Sequence, residues 1–153
     1  MTILPALTVW FALLAPQRDA TRLAEAIDRN LTTPLFVGDE TRVRSAALLT
    51  AIAFRESSLN EKAVGDHGKA LCAFQLWAVP EANDDIDLCV SVAIERIRES
   101  MKLCPRGNEL CLYAAGPRGL TTAADKTRRI TSDRFNLAKW LVGWLKKREE
   151  VKS

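Results

Sequence analysis

A mainly α, single compact domain is what the sequence predicts, and three observations carry that expectation. Five segments place apolar residues at helical spacing, no alternating apolar–polar run is long enough to compete as a strand, and 153 residues with only 7 Gly and 6 Pro suit one domain. A hydrophobic content of 48% with 27% charged residues belongs to a folded globular chain and excludes disordered, collagen-like and low-complexity classes. No internal repeat is present. The 22 Lys and Arg against 19 Asp and Glu leave a net charge of +3, too weak for the dense basic face of a nucleic-acid binder but suited to an anionic polymer.

Residues 1–18 form an apolar N-terminal segment, almost unbroken from Ala6 to Ala15. It has three readings: a signal-like targeting segment, a helix packed on the domain of residues 19–150, or a loose anchor. No Lys or Arg precedes the run, Pro5 interrupts its start, and Pro16 would follow a cut after Ala15, so as a signal it is imperfect. It is too short to cross a bilayer comfortably as a helix, and no stable membrane span is expected.

Asp19 is placed to cap a first amphipathic helix, with Leu23, Ala24, Ile27 and Leu31 on one side and Arg22, Glu25, Asp28 and Arg29 on the other. Pro34, Gly38 and Asp39 mark a loop. Val43, Ala46, Ala47, Leu49, Ile52 and Ala53 then trace one side of a second helix, and Glu56 closes that stripe. The Gly65-Asp66-His67-Gly68 cluster breaks the periodicity and leaves room for at most a small hairpin near residues 62–74. A third helix begins at Asp84 or Asp85, whose carboxylates suit its N-terminal dipole, and turns Ile86, Cys89, Val90, Ala93, Ile94, Ile97 and Met101 inward. A short helix around Glu109–Ala115 follows. The last helix, capped near Thr131 or Ser132, buries Phe135, Ala138, Leu141, Val142 and Leu145.

Cys72, Cys89, Cys104 and Cys111 show no CxxC or CxxH pairing, and His67 is the single histidine, so no metal site is expected. Cys104 and Cys111 enclose Pro105, Arg106, Gly107 and Asn108, a turn that lets their Cα atoms approach bridging distance. The expected disulfides are therefore Cys104–Cys111 and Cys72–Cys89. Persistent disulfides imply an oxidising, extracytoplasmic compartment, with four buried thiols in a cytosolic chain as the alternative.

The chemistry starts from Glu56. A carboxyl at the end of an apolar helix, followed by Ser57, Ser58 and Asn60 as the chain turns out, stands half in the core and half in a cleft. Desolvation there raises its pKa, and an acid kept protonated near neutral pH can deliver its proton to a leaving oxygen. The purely structural alternative pairs Glu56 locally with Arg55 or Lys62.

Three ordered motifs extend this reading. The stretch Ala51–Asn60 with Glu56-Ser57, then Ala63 and the Gly65–Gln75 loop followed by Leu76, then Leu112-Tyr113-Ala114-Ala115-Gly116-Pro117, together resemble the lytic transglycosylase domain of the lysozyme-like superfamily over about residues 40–118. That family places a Glu-Ser pair at the end of a buried helix, a glycine-containing loop ending in Gln, and a Tyr-Asn-Ala-Gly segment on a further helix. The resemblance implies a lysozyme-like fold, α+β with minimal β. It implies that Glu56 is the acid/base, Ser57 its neighbour at the substrate, Gln75 a sugar-binding residue, and Tyr113 the aromatic that positions acid and substrate. Two positions depart from the pattern. Cys72 stands for the usual glycine of the Gln motif, which fits a disulfide at the cleft rim, and Ala114 stands for the asparagine, which removes an amide that the resemblance implies holds the loop or contacts sugar.

The implied activity is cleavage of the β-1,4 bond between N-acetylmuramic acid and N-acetylglucosamine in peptidoglycan by one residue. Glu56 protonates the glycosidic oxygen and then takes the C6 hydroxyl proton to close a 1,6-anhydro ring, with the 2-acetamido group in place of a second carboxylate. Asp66 is the candidate second carboxylate for a hydrolytic muramidase, although an Asp beside two glycines is also a common turn residue. A non-catalytic, lysozyme-like wall-binding or structural module is the rival from another class. His67 reads as a polar turn residue, and at least one of Trp140 and Trp144 as core. Trp77 reads as a stacking platform for a sugar or a packing residue, while Arg128, Arg129 and Lys146-Lys147-Arg148 read as solvated surface. No cofactor is implied, and a monomer is expected.

Overall fold

Helix α1, Leu4–Leu14, opens the chain in a computed structural model that describes all residues from Met1 to Ser153. Leu7 and Trp10 have no exposed surface, and the Trp10 indole N–H donates to the Leu141 carbonyl at 3.0 Å. The start of α1 is fixed to α2, Thr21–Asn30, through Asp28, which accepts from the Ile3 N–H at 2.7 Å and the Thr2 hydroxyl at 2.8 Å. The apolar side chains of the N-terminal segment thus belong to the same core as the rest of the chain. Asp19 does not cap α2 as expected. The Ala20 carbonyl already accepts the Ala24 N–H, so the helix begins there, and Asp19 instead accepts from the Thr21 N–H one step outside it.

Helix α3, Thr41–Ser57, is the spine. Every residue from Ser45 to Ala53 is buried, so its apolar face is wider than the single stripe in the sequence, because α1, α2 and the last helix all pack on it. Four alanines in that run, Ala46, Ala47, Ala51 and Ala53, let those neighbours approach closely. The helix stops where Ser58 and Leu59 both turn to positive φ, with the Ser58 N–H closing back on the Phe54 carbonyl at 2.8 Å.

Three two-residue strands follow as an antiparallel sheet in the order β1-β2-β3: β1 Val64–Gly65, β2 Ala70–Leu71 and β3 Leu76–Trp77. Val64 faces Leu71, and Leu71 faces Leu76. The hairpin was legible, but β3 extends it, since two residues carry no alternation. Helix α4, Ile86–Leu103, starts at Asp85, whose carboxylate accepts the Leu88 N–H at 3.0 Å. A short α5, Cys111–Ala115, leads through a tight turn into α6, Ala124–Lys152.

The expected cap of the last helix at Thr131 or Ser132 is corrected: α6 starts seven residues before Thr131. Thr127 and Thr131 are buried inside the helix, where Thr127 donates to the Ala124 carbonyl and Thr131 accepts the Leu110 N–H at 3.2 Å. They serve the packing of α5 against α6, not a helix start. Disulfides join Cys72 to Cys89 and Cys104 to Cys111, with Cα–Cα distances of 6.4 and 6.0 Å and no free cysteine. No helix is long and apolar enough to cross a membrane. The mainly helical architecture with its small sheet fits the lysozyme-like class that the resemblance implies.

Candidate functional site

Glu56 is the penultimate residue of α3, and its side chain retains 28% exposure at the edge of the core. Burial pushes its pKa above the usual carboxylate value. Arg134 of α6, whose Nη2 donates to Glu56 Oε1 at 3.4 Å, pulls the other way, and the negative charge of Asp66 pushes it up further. Burial favours the protonated acid and Arg134 favours the carboxylate, so both forms that acid/base chemistry uses have a group supporting them. The local pairs proposed as an alternative do not form: Arg55 binds Asp133 at 3.0 Å, and the Lys62 ammonium reaches the Asn83 carbonyl.

Ser57 has its hydroxyl committed to the backbone. It donates toward the Ala53 and Ala73 carbonyls, at 3.0 and 2.8 Å, and accepts the Asn60 N–H at 3.1 Å. No donor remains for a sugar, so Ser57 acts by holding the Gln75 segment against the end of α3.

That segment is strained and over-determined. Asp66, His67, Cys72 and Gln75 all have positive φ, each at a cost of about 1 kcal/mol or more. The sheet, the Cys72–Cys89 bond and Asn83 hold them there, with Asn83 Oδ1 accepting the Cys72 N–H at 2.6 Å. Gln75 folds back so that its Nε2 donates to the Cys72 carbonyl at 3.0 Å. Gly65 makes room for it, since a Cβ at that position would collide with Gln75 Oε1.

Beyond this loop lies a cavity of about 620 Å³, whose walls include Asp66, Gln75, Trp77, Arg96, Tyr113 and Arg118, within the size range of ligand sites. Four of the residues singled out in the sequence therefore meet on one surface. Glu56 stands beside the cavity and not in its lining, yet its charge acts on Tyr113, and that of Asp66 acts on it. Tyr113 donates to the Phe74 carbonyl at 2.7 Å, and burial pushes its hydroxyl well above its ordinary pKa. Trp77 leaves 50% of its surface open, with the Lys69 ammonium 5.8 Å over its ring and Arg96 donating to its carbonyl at 2.7 Å. His67 lies exposed in the turn, clear of the cavity wall. No group of three or more His, Cys, Asp and Glu side chains is arranged to hold a metal ion.

The sequence reading missed Arg134. Its signal lies in α6, where Thr127, Thr131, Ala138 and Leu141 are buried at alternating steps of four, seven and three residues, and position 134 falls on the same face. A charged residue on a buried stripe implies a partner, and that partner is Glu56. Comparison of the chain with protein-family models, with curated proteins and with solved structures finds no match.

Proposed function

We propose that this chain is a peptidoglycan lytic transglycosylase with Glu56 as its single acid/base. The observation that carries the reading is the half-buried Glu56 carboxyl, pKa raised by burial, beside a cavity that brings together Asp66, Gln75, Trp77 and Tyr113. In the reaction Glu56 gives its proton to the glycosidic oxygen as the bond from C1 of N-acetylmuramic acid to that oxygen breaks. The acetamido group supports the positive centre, and Glu56, now a carboxylate, takes the C6 hydroxyl proton as O6 bonds to C1. Gln75 and Tyr113 line the strand's path, and the open Trp77 face suits a sugar ring. All these groups come from one chain, so a monomer suffices. Two disulfides support an extracytoplasmic location.

A second reading is favoured by one specific observation, that Asp66 lines the cavity while its charge raises the pKa of Glu56: a two-carboxylate muramidase in which Asp66 assists water. Mass spectrometry of purified peptidoglycan digested by the protein separates the two. Muropeptides lighter by one water, absent with Glu56→Gln, support the transglycosylase, whereas hydrolysed muropeptides lost in Asp66→Asn support the muramidase. Undiminished cleavage by folded Glu56→Gln overturns both.

A further inference from the structure

The carboxyl of Glu56 ends a chain of alternating charges that runs across α3 and α6. Arg134 Nη2 approaches Glu56 Oε1 at 3.4 Å, while its Nη1 lies 2.8 Å from Asp133 Oδ2. The same Asp133 oxygen accepts from Arg55 Nε at 3.0 Å. The guanidinium is thus bound closely by its neighbour on α6 and only loosely, through one nitrogen, by Glu56. A tight two-pronged Arg–carboxylate pair would hold Glu56 as a permanent anion, and such an anion cannot donate a proton.

We propose that Arg134 and Asp133 are positioning residues for Glu56: Asp133 draws the guanidinium toward itself, so that Arg134 offsets the negative charge Glu56 acquires on losing its proton without locking it in that state. This rests on the acid/base role of Glu56 proposed above. Arg134 is well placed for it, since only 16% of its side chain is exposed and its charge is little screened by solvent. Asp133, at 41%, sits at the outer end. The other groups that face Glu56 are Asp66 from the β1–β2 turn and the neutral Tyr113 hydroxyl from α5, with Arg96 of α4 acting on Tyr113. Neither Arg134 nor Asp133 lines the cavity; they reach the reaction through Glu56 and, for the charge of Arg134, also through the Tyr113 hydroxyl.

The arrangement makes two adjacent substitutions act in opposite directions. Arg134→Met removes the positive charge and leaves Glu56 to burial and Asp66, so its titration midpoint rises. Asp133→Asn frees both Arg134 and Arg55 from their shared carboxylate, and the midpoint falls. Each shift is expected at about one pH unit or more. A merely structural role for the pair would weaken folding in both variants without moving the midpoint in opposite senses.

The test is a carboxyl-carbon NMR titration of Glu56, assigned by its loss in Glu56→Gln, on the full chain and on Arg134→Met, Arg134→Lys and Asp133→Asn, each checked for its helical circular dichroism. Opposite shifts in Arg134→Met and Asp133→Asn, with Arg134→Lys near the parent, support the proposal. Unmoved midpoints, or shifts of one sign, overturn it, and if Arg134→Met does not fold, Asp133→Asn alone decides. The same variants assayed on purified wall should move the alkaline limb of the pH–rate profile in parallel. If the parent cleaves no wall, the proposed function fails while the titration still decides whether the pair sets the charge state of Glu56.

Discussion

The Tyr113 hydroxyl donates to the Phe74 carbonyl at 2.7 Å, and Ser57 donates to the preceding carbonyl, that of Ala73, at 2.8 Å. Two consecutive peptide oxygens are therefore held from opposite sides, one by α5 and one by the end of α3. Gln75 follows immediately in its left-handed conformation. The distance from the Glu56 helix to the Gln75 wall is set by this pair of bonds, and the strained loop is kept where relaxation would otherwise carry it away.

Removing one of these bonds should separate stability from function. Tyr113→Phe keeps the ring and its packing but leaves the partly buried Phe74 carbonyl without its donor, a loss of about 1 kcal/mol. A urea melt should register that modest change. Wall cleavage should fall by more than the melt implies, because the loop that carries Gln75 is freed. Unchanged activity would show that the bond does not govern the cleft.

Two glycines should respond very differently to alanine. At Gly65 the added Cβ meets the end of the flexible Gln75 side chain, which can swing aside by giving up its bond to Cys72. Gly65→Ala should keep stability within about 1 kcal/mol and raise KM for wall fragments. At Gly119 the Cβ meets the backbone carbonyl of Cys111, which α5 and its disulfide hold in place. Gly119→Ala should cost about 3 kcal/mol, as overpacking against rigid backbone does, visible as a lowered denaturation midpoint.

Glu56→Gln should abolish wall cleavage by about two orders of magnitude or more and raise thermal stability at neutral pH. The sign follows from the direction of the shift. Burial raises the pKa of Glu56 in the fold above its value in the unfolded chain, so the associated stability is fully present below about pH 4 and lost as pH rises through the folded-state value. At pH 7 the unfolded chain gains more from ionising this carboxyl than the fold does, a cost that the neutral amide removes. Calorimetry should find the variant's Tm above that of the parent at pH 7 and the gain gone at pH 3.

The helices, the Cys104–Cys111 disulfide and the cavity-facing residues Asp66, Gln75, Trp77 and Tyr113 were legible from local patterns, namely a 3.6-residue period, a turn between two cysteines and an ordered set of short motifs, and Cys72–Cys89 is the pairing that the turn leaves over. What was not legible depends on distant partners. Thr131 reads as a cap from its neighbours, and only the Leu110 N–H, 21 residues earlier, explains why it sits inside α6. Arg134 shows no role until α3 is laid against α6, because its partner Glu56 is 78 positions earlier in the chain. The commitment of Ser57 to the Ala73 carbonyl follows from the fold of the loop and not from the Glu-Ser motif.

The two disulfides should contribute unequally, and to different parts of the site. Cys72–Cys89 closes 17 residues and ties the strained loop to α4, while Cys104–Cys111 closes 7 and ties the end of α4 to α5. Loop-closure entropy gives about 3 kcal/mol for the longer and about 2 kcal/mol for the shorter. The longer bond also opposes the release of Cys72 and Gln75 from positive φ, a native-state role that the entropy term omits. Replacing Cys72 and Cys89 together by alanine should therefore lower Tm more than replacing Cys104 and Cys111, and should impair wall cleavage even at temperatures where the variant remains folded. Calorimetry and wall digestion on the two double variants check this. Equal losses of Tm, with full activity in the Cys72/Cys89 variant, would mean that Asn83 and the sheet hold the loop without the disulfide.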